Sequence, residues 1–103
     1  MKKAFKIIEN KNGQFRFIYH GINGDKNIKK NKWLKAVEKI TRDGSSYDYL
    51  SGFHFFETET IAQKYFKKFK NKKNKIIVPV EVKKIRKKGP NTEVKLASFI
   101  KFV

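Results

Sequence analysis

Two histidines, a pair of adjacent serines and a large excess of lysine are the residues of this chain whose types could do chemistry. His20 follows Phe17, Ile18 and Tyr19, and His54 lies within Phe53-His54-Phe55-Phe56. An imidazole on a strand usually serves as a hydrogen-bonded structural group; convergence with Asp43, Asp48 or Glu57 would instead allow acid–base work or metal binding. The histidine spacing fits no standard metal motif, so no metal is expected. Ser45 and Ser46 stand in Asp43-Gly44-Ser45-Ser46, where turn chemistry accounts for them, because no base or oxyanion site accompanies them. Neither Gly21-Ile22-Asn23-Gly24 nor Lys88-Gly89-Pro90 matches a phosphate-binding loop or a dinucleotide fingerprint. The residues therefore predict no catalytic group, no cofactor and no enzyme.

The lysines carry the stronger signal. The chain holds 26 Lys and Arg against 9 Asp and Glu, a net charge of +17. Lys outnumbers Arg 23 to 3, as expected when a composition is biased towards Lys, Asn, Ile and Phe. Bias does not explain the segregation: no Lys or Arg occurs between Arg42 and Lys64, whereas Asp43, Asp48, Glu57 and Glu59 all fall there. Three basic groups result. Lys26, Lys29, Lys30 and Lys32 form the first; Lys67, Lys68, Lys70, Lys72, Lys73 and Lys75 the second; Lys83, Lys84, Arg86, Lys87 and Lys88 the third. Such clusters release counterions from a phosphate backbone whatever its sequence, and Lys offers point charges in place of bidentate base readout. Trp33, Tyr47 and Tyr49 are the aromatics least accounted for by a helical face or by clean strand alternation, and could fill core or stack on bases. A ribonucleoprotein-type aromatic signature is absent.

The elements that must position these groups follow from periodicity. The 103 residues suit a single domain, 1–103, with ten Phe, four Tyr and one Trp for its core. The absence of cysteine excludes disulfides and fits a reducing compartment. No apolar run is long enough to span a bilayer, and no signal-peptide core follows Met1-Lys2-Lys3, so a soluble, cytoplasmic protein with no membrane partner is expected.

Phe5, Ile7 and Ile8 predict a strand over Ala4 to Glu9, and Asn10-Lys11-Asn12-Gly13 a hairpin turn. Gln14 to His20 reads as the second strand, with Phe15, Phe17 and Tyr19 on one side and Arg16, Ile18 and His20 on the other. Trp33, Ala36, Val37 and Ile40 fit a short helical face over about 32–41; an extended pass fits too, and helix is the favoured reading. Ser51 to Phe56 is an aromatic strand. It leads into an amphipathic helix over about 58–70, with Thr58 as N-cap, Glu57 and Glu59 at its positive end, and Ile61, Ala62, Tyr65, Phe66 and Phe69 on one face. Ile76 to Val82 is a β-branched strand in which Pro79 marks an edge or a bulge. Gly89-Pro90-Asn91 turns the chain into a last extended segment, Glu93 to Val103. The fold class predicted is α+β, a mostly antiparallel sheet packed by one main helix.

Tyr49-Leu50-Ser51-Gly52-Phe53-His54, the helix with Ala62 and Tyr65, Val78-Pro79-Val80-Glu81-Val82 and Lys95-Leu96-Ala97-Ser98-Phe99-Ile100 resemble a group of small phage and prophage domains with no shared activity. The likeness covers roughly Trp33 to the C-terminus. It implies a compact α+β fold in a mobile-element setting and supplies no catalytic residues. Tyr19-His20-Gly21 and the stretch from Phe53 to Tyr65 resemble elements of the ADP-ribosyltransferase fold, although the chain is short for it and Glu81 and Glu93 are catalytic candidates by position only.

Three functional expectations result. The first is a basic, non-enzymatic phage-type protein that binds RNA or single-stranded DNA through Lys29, Lys30, Lys32, Lys67, Lys68, Lys70, Lys72, Lys73, Lys83, Lys84, Arg86, Lys87 and Lys88, with Trp33, Tyr47 and Tyr49. Its size and the mobile-element resemblance imply an inhibitor of a nucleic-acid-guided defence complex, such as a CRISPR effector; docking on an acidic protein face would use the same charges. The second is a nucleotide-site enzyme of ADP-ribosyltransferase type using Tyr19, His20 and a Glu. The third is a virion accessory protein. The first requires the basic groups to share a face; the second requires Tyr19, His20 and a carboxylate to share a pocket.

Overall fold

Asn12 and Gly13 both take left-handed backbone conformations, φ 54° and 83°, and so form the two-residue turn of a hairpin. The turn joins β1 (Lys2–Lys11) to β2 (Gln14–Arg16), with Lys11 opposite Gln14. In the computed structural model residues 2–18, 28–36, 40–42, 48–50, 52–69, 72–88 and 91–103 are described. The remaining elements are β3 (Trp33–Lys35), β4 (Ile40–Arg42), β5 (Asp48–Leu50), β6 (Phe53–Phe55), α1 (Glu59–Phe66), β7 (Lys75–Lys88) and β8 (Asn91–Phe102). All the paired strands among them run antiparallel.

The main sheet has the order β2-β1-β7-β8-β3, with β6 also on β8, and β4 pairs with β5 apart from it. One edge of β8 meets β7, while the other meets β6 over Lys95–Ala97 and β3 over Phe99–Lys101. Phe56 then exchanges two backbone hydrogen bonds with Phe5 of β1, each 2.8 Å. The circuit β1-β7-β8-β6 therefore closes on itself like a small barrel. Just past that closure Glu57 accepts from Lys2 and pairs with Lys95 at 2.5 Å, so one carboxylate clamps β1 and β8.

Strand alternation sorts the core in two. Ala4, Ile8, Val80, Val82, Ile100 and Phe102 point inward with Phe17, Phe53 and Phe55. Phe17 stacks on Phe53 at 5.5 Å between centroids and meets Phe102 edge-on. Phe5, Ile7 and Ile77 point outward and pack with Ile61, Ala62, Tyr65 and Phe66 of α1 and with Phe69. Phe15 and Phe17 join the inner cluster and Ile18 the outer, as their spacing predicts, but the strand expected over Gln14 to His20 ends at Arg16, and its last two positions lie outside the described residues. Lys6, between Ala4 and Ile8, is the exception: its side chain is buried and its Nζ donates to the His54 carbonyl at 2.5 Å.

Both expected helices require correction. The segment about 32–41 is not a helix where it is described: Trp33–Lys35 is a strand on β8 and Ile40–Arg42 a strand on β5. Leu34 and Ala36 pack inward while Ile40 is 70% exposed, so the 3.6-residue spacing of Trp33, Ala36, Val37 and Ile40 was coincidental and the period-two pattern won. Positions 37–39 lie outside the described residues.

Pro79 lies at an edge position, as expected: β1 pairs with it at Phe5, but on the β8 side pairing begins only at Val80. It is tolerated because its partner Phe5 directs its own N–H and C=O to Phe56, making Phe5–Pro79 a non-hydrogen-bonded pair. The missing N–H then falls on the β8 side, where the pairing stops at Val80–Phe102.

The helix is shorter than 58–70. Thr58 caps it, its Oγ1 accepting from the Ile61 N–H at 3.2 Å, and regular helix ends at Phe66. The Lys68 and Phe69 N–H groups bond only three residues back, to Tyr65 and Phe66, which tightens the chain into its exit.

Candidate nucleic-acid interface

Register alone places six side chains on one face of β7-β8-β3. Trp33 lies opposite Lys101, and Lys101 opposite Glu81; Lys35 lies opposite Phe99, and Phe99 opposite Lys83. Directly paired residues share a face, as do residues two apart on a strand, so the two rows form one patch. The alternate residues Val82, Ile100 and Leu34 point into the core, which fixes this patch as the outer surface. Trp33 and Phe99 are half-buried rings, and Lys35 and Lys83 are exposed.

Cations cover both rings. Lys83 Nζ is 4.0 Å and Lys101 Nζ 5.2 Å from the Trp33 ring centroid, and Lys84 Nζ is 5.6 Å from that of Phe99. Lys101 also pairs with Glu81 at 2.9 Å. Regular alternation would send Lys83 and Lys84 to opposite faces. Lys84, however, has φ 55°, a left-handed conformation that is costly for a non-glycine residue in mid-strand. Its carbonyl and side chain are thereby re-aimed, and both ammonium groups reach rings of the same face. Four lysines against one glutamate make that face strongly positive, and its two rings give it flat apolar surface among the charges.

The basic groups identified in the sequence divide around this patch. Lys29, Lys30 and Lys32 are exposed just ahead of Trp33; Lys30 bridges to Phe102 of β8, and its Nζ lies 5.0 Å from the Phe15 ring. There Lys30 and Phe15 line a shallow groove of about 310 Å³ with Gly13, Gln14 and Ile28. Lys30 thus meets β8 through its backbone at Phe102, next to Lys101, while its ammonium is turned to the β1–β2 hairpin. Lys87 is exposed further along β7, and Lys88 ends that strand opposite Asn91. Arg86 turns to other work, donating to the buried Ser98 Oγ at 2.6 Å.

Lys67, Lys68, Lys72 and Lys73 follow α1 and precede Lys75, the opposite end of β7. Lys75 and Lys83 are separated by eight residues of strand, roughly 26 Å. Lys68 and Lys75 lie over Tyr65 and Phe69, at 4.7 and 5.7 Å, so the helix-end group has its own aromatic neighbours and is a separate patch. Lys70, Tyr47, Tyr19 and His20 lie outside the described residues, and Tyr49 is placed in β5 opposite Thr41.

Phe99, Lys35 and Lys101 belong to the patch and were not singled out from the sequence. The available signal was the alternation of Phe99 and Lys101 with Ile100 and Phe102, which exposes an aromatic and a cation on one side of the last strand. Among the described residues no three His, Asp or Glu side chains could together hold a metal ion. Glu81 and Glu93 are engaged elsewhere, with Lys101 and, at 3.1 Å, with Lys64. No described helix is long and apolar enough to cross a membrane. Comparison of the chain with protein families, with curated proteins and with solved structures finds no match.

Proposed function

We propose that this protein binds nucleic acid through the outer face of β7-β8-β3. The observation that carries the reading is the convergence of Lys35, Lys83, Lys84 and Lys101, from three strands, on the rings of Trp33 and Phe99. Ammonium groups neutralise phosphates without base preference, and the exposed Lys29 and Lys32 add positive charge just ahead of Trp33 in the chain. The mobile-element likeness of the C-terminal two-thirds would place that nucleic acid in a nucleoprotein complex, with inhibition of a guided defence effector such as a CRISPR complex as the biological outcome. An acidic protein face is the second reading favoured by the same charges.

Anisotropy of labelled RNA, single-stranded DNA and duplex DNA across a salt series tests the proposal. Engagement of the four lysines on a single strand gives a slope of about −3 in log K against log salt. Absence of binding to every nucleic acid near physiological salt would exclude this reading and leave the acidic protein partner.

A further inference from the structure

We infer that the ligand of this face is a single strand, RNA or DNA, held with two consecutive bases stacked on Trp33 and Phe99; the inference rests on the nucleic-acid reading above. Trp33 lies opposite Lys101, and Phe99 is two residues before Lys101 on β8, so the two rings are diagonal neighbours. Such neighbours stand roughly 7–8 Å apart. Successive bases of a duplex strand rise only about 3.4 Å, and their faces are already occupied by stacking. That residue spacing, about twice the duplex rise, suits a strand whose bases have been drawn apart, which only a single strand provides without melting.

The cations complete the geometry. Lys83 and Lys101 reach the Trp33 ring from β7 and β8, both on one side of β3, and β3 is the last strand in the sheet order. A base takes the indole surface by displacing these two ammonium groups to the ring's margin, where they meet the base's phosphate. Lys84 stands over Phe99 and serves the next phosphate in the same way. This division of labour explains why a strained, left-handed lysine is kept in mid-strand: without it only one of the two consecutive lysines would face the rings. Stacking on each ring is worth roughly tenfold or more in affinity.

Trp33 is the chain's one tryptophan, so its emission reports on this site alone. Oligothymidylate and oligouridylate of ten nucleotides, and a duplex of the same length, are titrated while anisotropy and tryptophan emission are followed together. The expected result is saturable quenching by either single strand at the concentration where anisotropy rises, weak or no quenching by duplex, and a loss of about tenfold in single-strand affinity in Phe99→Leu. Single-strand binding that leaves the Trp33 emission unchanged, or duplex binding of equal affinity and equal quenching, would overturn the inference while leaving nucleic-acid binding in place. Anisotropy that rises with no ligand would remove the underlying reading itself. The emission measurement needs no variant, so failure of Phe99→Leu to fold would not spare the inference.

Discussion

Lys83 holds its ammonium 4.0 Å above the centre of the Trp33 ring, across the intervening strand β8. The contact joins two residues fifty positions apart and makes a basic run and a lone tryptophan parts of one surface. Cation–π attraction keeps the long side chain over the ring in the free protein, where it is worth roughly 0.5–1 kcal/mol at an exposed position. The ammonium thus occupies a face of the ring, and a base stacking on that face displaces it towards the base's own phosphate.

The left-handed Lys84 separates stability from binding. Glycine relieves the steric cost of φ 55°, so Lys84→Gly should be as stable as the parent or up to about 1 kcal/mol more stable in urea denaturation. The same variant should lose single-strand affinity, because it removes a cation from beside Phe99. Loss of stability would show that the left-handed conformation costs the parent nothing, and unchanged affinity that Lys84 has no part in binding.

Much of this fold is legible in local sequence. Asn12-Gly13, the Thr58 cap and the alternating apolar residues of β1 and β7 each carry their own conformational reason, and each lies where the pattern predicts. Trp33 to Ile40 misleads because Trp33, Ala36, Val37 and Ile40 fit a helical period while Leu34 and Ala36 fit an extended one, and only pairing with β8 decides between them. The site is less legible than the fold. Lysine has no preference for the left-handed region, so nothing local marks Lys84, and the union of Trp33, Phe99 and Lys83 depends on a strand order that brings residues from three distant stretches together.

Lys6 makes stability depend on pH in the alkaline range. Burial among apolar side chains lowers its ammonium from 10.5 to about 8. Between those values the unfolded chain holds the proton and the folded chain does not, so stability rises with pH through this window and the full penalty is felt below it. Lys6→Met should raise stability at pH 7 by on the order of 1–3 kcal/mol, less the lost bond to the His54 carbonyl. The decisive reading is the difference between variant and parent, which should shrink as pH rises from 8 to 10.5.

Glu57 acts at the other end of the scale. Hydrogen bonds first from Lys2 and then from Lys95, with the charges of both, hold its carboxyl down at about 2. A depressed carboxyl contributes stability above its ordinary value of 4.5, and that contribution is lost as pH falls towards 2. Glu57→Gln should therefore melt earlier than the parent at pH 7, and the two melting temperatures should converge on acidification. A gap that stays constant down to pH 2 would mean the clamp between β1 and β8 is not electrostatic.

Gly52 is needed for space. A Cβ there would lie 2.9 Å from the Ala97 carbonyl oxygen and 2.9 Å from Arg86 Nη2. Gly52→Ala should destabilise by about 1–3 kcal/mol, since the β6–β8 backbone has to give way as well as the guanidinium. Thermal denaturation of Gly52→Ala beside Arg86→Ala tells which neighbour resists.

Location is the point on which binding by this face stands. Lys35, Lys83 and Lys84 are reversed to Glu in one variant, and Lys67, Lys68 and Lys72, at the far end of β7, in another. The two carry the same change in net charge, so a purely compositional charge effect would treat them alike. Their affinities for a ten-nucleotide single strand are compared by anisotropy at one salt concentration. The face variant should lose on the order of 100-fold and flatten the salt slope by about 2. The helix-end variant should lose less than about fivefold. Equal losses, or the greater loss at the helix end, would contradict a binding site built on Trp33 and Phe99.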